Sequence, residues 1–333
     1  MGEIKLKQQR KGLLFLISLW LILLASCRPR WEYLPLDDKV IDIPDKDIIF
    51  QLDNYTYYGG DGSDKIGFVN ADGSKKEYLI REDFSALTPV WTDDGGALLF
   101  STRGYEINAL IEKDYHLRLK NIWAYQPSII HGTSELLLNS AIDEKPVIKR
   151  VDLTTGDVLE TYQMNNQVYD IGIGTNNFHN HQLLYQRWLI GENDIKHTEL
   201  VILNTNTNKE DVILKHSGTL ENIKRIIRPA FSPNGQWIAY TSSDGIYLIH
   251  PDGSDNHQVI QLKNAYSYWS SIVSWSPDGK SFVYHHCSLN SWQDCEHNVE
   301  DSIIYKYDIE TGEEIVLVEG GVNPYWRWRE ESP

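Results

Sequence analysis

Eleven histidines and three cysteines are the side chains with most to offer a reaction or a metal ion, and they are scattered along the 333 residues. Only two sets are dense: His179 with His181, and His285 with His286, with His297 nearby. Histidines with an acidic or amide partner can hold a metal that acts as a Lewis acid. His179-Asn180-His181 precedes the strand expected at 183–187, however, and a solvated turn is the plainer reading of it. Cys287 and Cys295 stand eight apart in a stretch rich in Ser, Asn, Asp and His. Their spacing, even with His285, His286 or His297, matches no structural zinc pattern. Asp61-Gly62-Ser63-Asp64 spaces its oxygens as a short calcium loop does but lacks the later bidentate Glu, so a hairpin turn is expected there. Tyr266, Tyr268, Trp269 and Trp292 are candidates for an aromatic platform that takes a sugar or a peptide, and equally for packing between sheets.

No catalytic motif joins these groups. A Gly-x-Ser-x-Gly elbow, a His-Glu-x-x-His helix, a phosphate-cradling Gly loop and a Cys-x-x-Cys pair are all absent from the sequence. The expectation is therefore no catalytic residue and no cofactor, with a channel-mouth metal or acid-base site as the alternative. The formal charge of −16 excludes nucleic acid as a natural partner, because an acidic surface repels phosphate.

The amino terminus sets the compartment. Lys5, Lys7, Arg10 and Lys11 precede the apolar segment 13–24, which is too short for a stable membrane-spanning helix and has the form of an export signal. The ending Leu24-Ala25-Ser26-Cys27 resembles the lipobox of bacterial lipoproteins, in which the cysteine is acylated and the chain is cut just before it. The resemblance implies a signal peptide at 1–26 and a lipid anchor on Cys27, whose two or three acyl chains would hold the protein on a membrane. Cleavage removes three net positive charges and takes −16 to −19 over the remaining 307 residues. Export to an oxidising compartment leads to the expectation of a Cys287–Cys295 disulfide. Arg28 is not the aspartate of an inner-membrane retention signal, so the outer membrane is expected in a two-membrane host and the outer face of the cell membrane in a single-membrane one.

Beyond a leader at 27–45, short β-branched and aromatic runs alternate with Asp/Asn/Gly turns and no long helical period appears, so the domain is all-β. Three segments align without gaps over ten positions: 91–100, 231–240 and 275–284. Each begins on an aromatic, and Pro233-Asn234-Gly235 and Pro277-Asp278-Gly279 carry turn chemistry. A second marker, an aliphatic strand running into an Asp/Asn/Gly turn, ends at Gly73, Gly156, Asn208, Gly253 and Gly312, the last four ends being 52, 45 and 59 residues apart. Steps of this length denote one four-stranded propeller blade per repeat. The 83 residues from Gly73 to Gly156 require one degenerate copy, placed at 110–114, which makes six units. Val322-Asn323-Pro324-Tyr325-Trp326 reads as an opening strand without a second, and 47–52 as a second without an opening one, so the termini are expected to share a blade and remove a free edge.

The pattern aromatic-Ser-Pro-Asp-Gly, short strand, Ile-Tyr, aliphatic strand, Asp-Gly, legible at 229–254, resembles the TolB-like, WD-like β-propeller repeat of bacterial envelope proteins. It implies a propeller over 46–329 and a role as a non-catalytic scaffold that binds an envelope protein or glycan through loops at one mouth, around 53–64 and 285–301. Some sugar-acid lyases are similar to this repeat and hold a metal through histidines, which keeps a carbohydrate-active lyase or hydrolase as the alternative.

Overall fold

The computed structural model describes residues 31–34, 44–52, 64–81, 87–93, 97–101, 106–111, 115–124, 127–142, 145–164, 168–191, 195–219, 222–262, 272–287 and 302–328. The described residues fold as an all-β propeller whose strands pair into six antiparallel sheets.

The ten-residue repeats form strand–turn–strand units, and a hydroxyl common to all three closes them. Ser276 Oγ accepts the Ser281 N–H at 3.0 Å, Ser232 Oγ the Trp237 N–H at 2.9 Å, and Thr92 Oγ1 the Ala97 N–H at 3.0 Å. Gly235 and Gly279 take φ of 68° and 70° behind their prolines, which an L side chain adopts only under strain. The opening aromatics Trp91, Phe231 and Trp275 are buried. The second marker is an Asx turn: Asp152 Oδ1 accepts the N–H groups of Thr154 and Thr155, and Asp308 Oδ1 those of Glu310 and Thr311.

Numbered along the chain, sheet I is Val322–Trp326, Ile48–Gln51, Asp64–Val69 and Glu77–Arg81; sheet II is Leu87–Trp91, Ala97–Ser101, Glu106–Ile111 and Tyr115–Trp123. Sheet III is Pro127–Ile130, Glu135–Ile142, Lys145–Asp152 and Val158–Gln163; sheet IV is Val168–Gly172, Gln182–Ile190, Lys196–Asn204 and Lys209–Gly218. Sheet V is Ile227–Phe231, Ile238–Ser242, Gly245–Ile249 and His257–Gln261; sheet VI is Ser274–Trp275, Ser281–Cys287, Ser302–Asp308 and Glu314–Glu319. In sheet V the middle strands are buried throughout and His257–Gln261 is largely exposed, as it must be when sheets stack face to face and only the outermost strand meets water. The opening strands pack against strands of neighbouring sheets and so line the centre. Ala230 and Leu248 of sheet V share a core with Trp275 and Phe282 of sheet VI.

The termini meet as expected: Ile48 pairs with Trp326 and Ile49 with Tyr325. The degenerate unit is sheet II, where Ile111 pairs with Tyr115 across the stretch assigned to the missing marker. Two departures from four strands per sheet occur. Trp31–Leu34, inside the segment read as a leader, adds to sheet II beside Tyr115–Trp123, and Phe178–His179 adds a two-residue strand to sheet IV.

Candidate functional site

The opening strands of sheets I, II and V share a feature beyond the ten-residue repeat, a proline two positions before the buried aromatic: Pro324, Pro89 and Pro229. The residue ahead of each proline, Asn323, Thr88 or Arg228, has φ of 51°, 47° or 46°. A non-glycine residue held there costs roughly 1–3 kcal/mol and persists only when its surroundings fix it. The pairing register slips at the same place in all three sheets, so a bulge turns these residues out of the ladder.

Facing this column, the second strands carry polar side chains. Gln51 pairs with Val322, Ser101 with Leu87, Thr241 with Ile227 and Gln186 with Gly172. Ser140 and His285 hold the same register, two residues beyond the pairs Leu138–Pro127 and Val283–Ser274. All six are buried. In a core otherwise built of Ile, Val, Leu and aromatics, such a belt is stable only if its groups find partners.

Asn323 is the hub. Its Nδ2 donates to Gln51 Oε1 at 2.9 Å, its Oδ1 accepts from Arg228 Nη1 at 3.3 Å, and its backbone N–H donates to His285 Nδ1 at 3.3 Å. With Nδ1 accepting, the proton of neutral His285 sits on Nε2. Gln51 Oε1 also accepts the Thr88 N–H at 3.3 Å, and the Thr88 and Ser101 hydroxyls lie 3.0 Å apart. Sheet VI separates Arg228 from Asn323 around the ring, so their hydrogen bond runs over the end of the channel.

Arg228 uses one N–H donor in this network, and among the described residues no carboxylate lies at ion-pair distance from it. Burial alone pulls its pKa down to about 10, although its side chain is only half-buried. A group that touches water yet is surrounded by protein atoms sits in a concavity. Beneath it, the segment 173–177 leaves sheet IV and closes on its neighbours. Ser128 Oγ donates to Thr175 O, Thr175 Oγ1 to Val273 O at 2.8 Å, and Asn177 Nδ2 to Pro229 O at 2.9 Å. Gly174 is required here, since a Cβ would lie 2.4 Å from Pro229 O.

The sequence candidates fall on both sides of this segment. His285 belongs to the belt; His286, next to it, is half-buried, and burial lowers its pKa. His179 lies by the opposite mouth, where a Cβ on Gly235 would sit 2.4 Å from its Nε2, and His181 is exposed in the adjoining turn. The two histidine sets therefore form no joint site. Among the described residues no group of three His, Cys, Asp or Glu could hold a metal ion. Cys287 ends a strand of sheet VI; Cys27, Cys295, Tyr266, Tyr268, Trp269, Trp292, His297 and the turn 61–63 lie outside the described residues. The strands bordering 53–63, 263–271 and 288–301 all end at the mouth that holds Arg228. Residue-type searches pass over Arg228 and Asn323; the repeated x-Pro-x-aromatic spacing is the signal that finds them.

No family model matches the chain, and no curated protein matches it. Solved structures share its fold. TolB from Acinetobacter baumannii superposes with a TM-score of 0.59 at 15% identity, over 84% of this chain and 66% of that one, so the match leaves a third of that protein uncovered. A putative TolB from Agrobacterium tumefaciens gives 0.57 at 17% identity over 80% and 92% of the two chains. An oligogalacturonate lyase in complex with manganese gives 0.51 at 17% identity over 87% and 74%. These likenesses define the class, a TolB-like β-propeller fold.

Proposed function

We propose that this chain is a lipid-anchored extracytoplasmic propeller of six blades, one of them shared by the two termini, that binds an envelope glycan or protein at the Arg228 mouth without transforming it. The observation that carries this reading is the belt itself. Three strained pre-proline residues and an inward cation that has no carboxylate partner among the described residues converge on one end of a channel whose interior is closed by 173–177. A closed base with open donors is the form of a binding pocket. The alternative, a carbohydrate-active lyase or hydrolase, rests on the fold shared with the manganese-bound lyase and on His285 in the belt.

The test uses the mature domain with Cys27→Ser, incubated with envelope glycans, peptidoglycan fragments and divalent cations, while the thermal midpoint and the integrity of each ligand are followed. A midpoint rise with the ligand recovered intact supports the binding module. A rise that requires metal, is lost in His285→Ala and comes with ligand cleavage replaces it with the enzyme. Anchoring is tested separately: the full chain is expected in the membrane fraction and the Cys27→Ser chain in the soluble one.

A further inference from the structure

Arg228 is placed where a charge is expensive. Its guanidinium is drawn out of bulk water on a backbone strained to φ 46°, and its only hydrogen bond among the described residues goes to a neutral amide oxygen. An arginine kept for stability would be paired, as Arg187 is with Glu199 at 2.8 Å and Glu210 at 2.6 Å one sheet away. An unpaired inward charge costs stability that an apolar side chain would not. The protein is also strongly acidic, so an inward cation runs against the sign of its net charge.

We infer that Arg228 is the anchor of a carboxylate-binding site, taking small organic acids of sugar-acid size or less. This deepens the binding reading above and rests on it. The geometry favours a carboxylate over a tetrahedral dianion. A single guanidinium presents a planar fork that meets both carboxylate oxygens at once, and among the described residues only one of its donors is committed, to Asn323 Oδ1. A neutral amide adjoins its partner Asn323: among the described residues Gln51 commits only its Oε1 to the network. A bound carboxylate would supply the missing counter-charge.

The experiment titrates the mature Cys27→Ser domain with sodium acetate, D-galacturonate, D-galactose, sodium sulfate and sodium chloride, and reads the thermal midpoint with calorimetric binding. Galacturonate and acetate are expected to raise the midpoint saturably, while galactose, sulfate and chloride at equal ionic strength do not. Arg228→Met, which keeps the length and removes the charge, is expected to lose the effect at least tenfold in affinity while its ligand-free midpoint stays level or rises. Asn323→Asp places a carboxylate within reach of Arg228 and is expected to abolish the response by internal competition, with the fold intact by circular dichroism. Equal response to sulfate overturns the carboxylate assignment. If Arg228→Met lowers the ligand-free midpoint by as much as loss of a buried ion pair would, the residue is structural and the inference fails. If no acid binds but an envelope glycan still does, the inference fails and the binding reading stands.

Discussion

At the scale of single residues, His131 shows how a buried polar group at the seam of the ring is held. Its Nδ1 lies 2.5 Å from Asp93 Oδ1, and its ring stacks on Trp328 with centroids 3.4 Å apart. Burial lowers its pKa against the opposing pull of Asp93, so the folded protein keeps the ring neutral where the unfolded chain, with a pKa near ~6.5, begins to take a proton. Below that value the unfolded state binds more protons and stability falls with pH until the depressed folded pKa is reached. His216 and His286, also lowered by burial, act in the same direction. The thermal midpoint is expected to drop between pH 7 and 5, and His131→Gln is expected to show a shallower slope over that window than the parent. An unchanged slope would place the linkage on His216 and His286 instead.

At the scale of the element, the repeat hairpins depend on one hydroxyl each, which a scan for Pro, Asp and Gly overlooks. Ser276 Oγ sits between Asp278 Oδ1 at 2.6 Å and the Ser281 backbone, and Ser276 is itself buried. Ser276→Ala leaves the Ser281 N–H without its partner, at about 1–3 kcal/mol, measurable as a lower denaturation midpoint with an unchanged denaturant slope. Asp278→Ala, whose carboxylate faces solvent, should cost less. A close approach matters as much in sheet I: Gly67 pairs with Phe50, and a Cβ on Gly67 would lie 2.2 Å from the ring. Gly67→Ala is therefore expected to destabilise severely, and Phe50→Leu in the same chain to recover part of the loss; additive penalties would contradict this. These elements also show what was legible in advance. Turn residues and buried aromatics have fixed local chemistry, so the hairpins, the degenerate unit and the pairing of residues 48–51 with 322–326 could be read from spacing. The x-Pro-x-aromatic spacing marks the positions of Arg228 and Asn323, but nothing in either residue type announces a positive φ before proline or a neighbour from two sheets away. Nor does residue type show that the histidines at 179–181 and 285–286 lie at opposite mouths.

At the scale of the whole molecule, closure falls on one strand. Val322–Trp326 is the innermost strand of sheet I, and its Trp326 N–H donates to Ser274 Oγ of sheet VI at 2.8 Å. Just beyond it, the Arg327 N–H donates to Asp47 O at 2.8 Å, the guanidinium pairs with Asp45 at 2.5 Å and lies 4.9 Å over the Trp91 ring of sheet II, and Trp328 stacks on His131 of sheet III. With the Asn323–Arg228 hydrogen bond to sheet V, residues 322–328 thus tie five of the six sheets together. Ending the chain after Gly321 would leave Ile48–Gln51 as an unpaired edge, strip Phe50 and Ile49 of the cover supplied by Tyr325 and Trp326, and remove Asn323 from the belt. Loss of these buried aromatics and an exposed hydrophobic edge predict a chain that aggregates on expression or unfolds without a single sharp transition. Supplying residues 322–333 as a separate peptide at high concentration should restore the sharp transition, since the strand carries its own pairing partners. Failure of the peptide to restore it, with the truncated chain already melting as sharply as the parent, would mean that the ring is held by the stacking of sheets rather than by the strand that joins its ends.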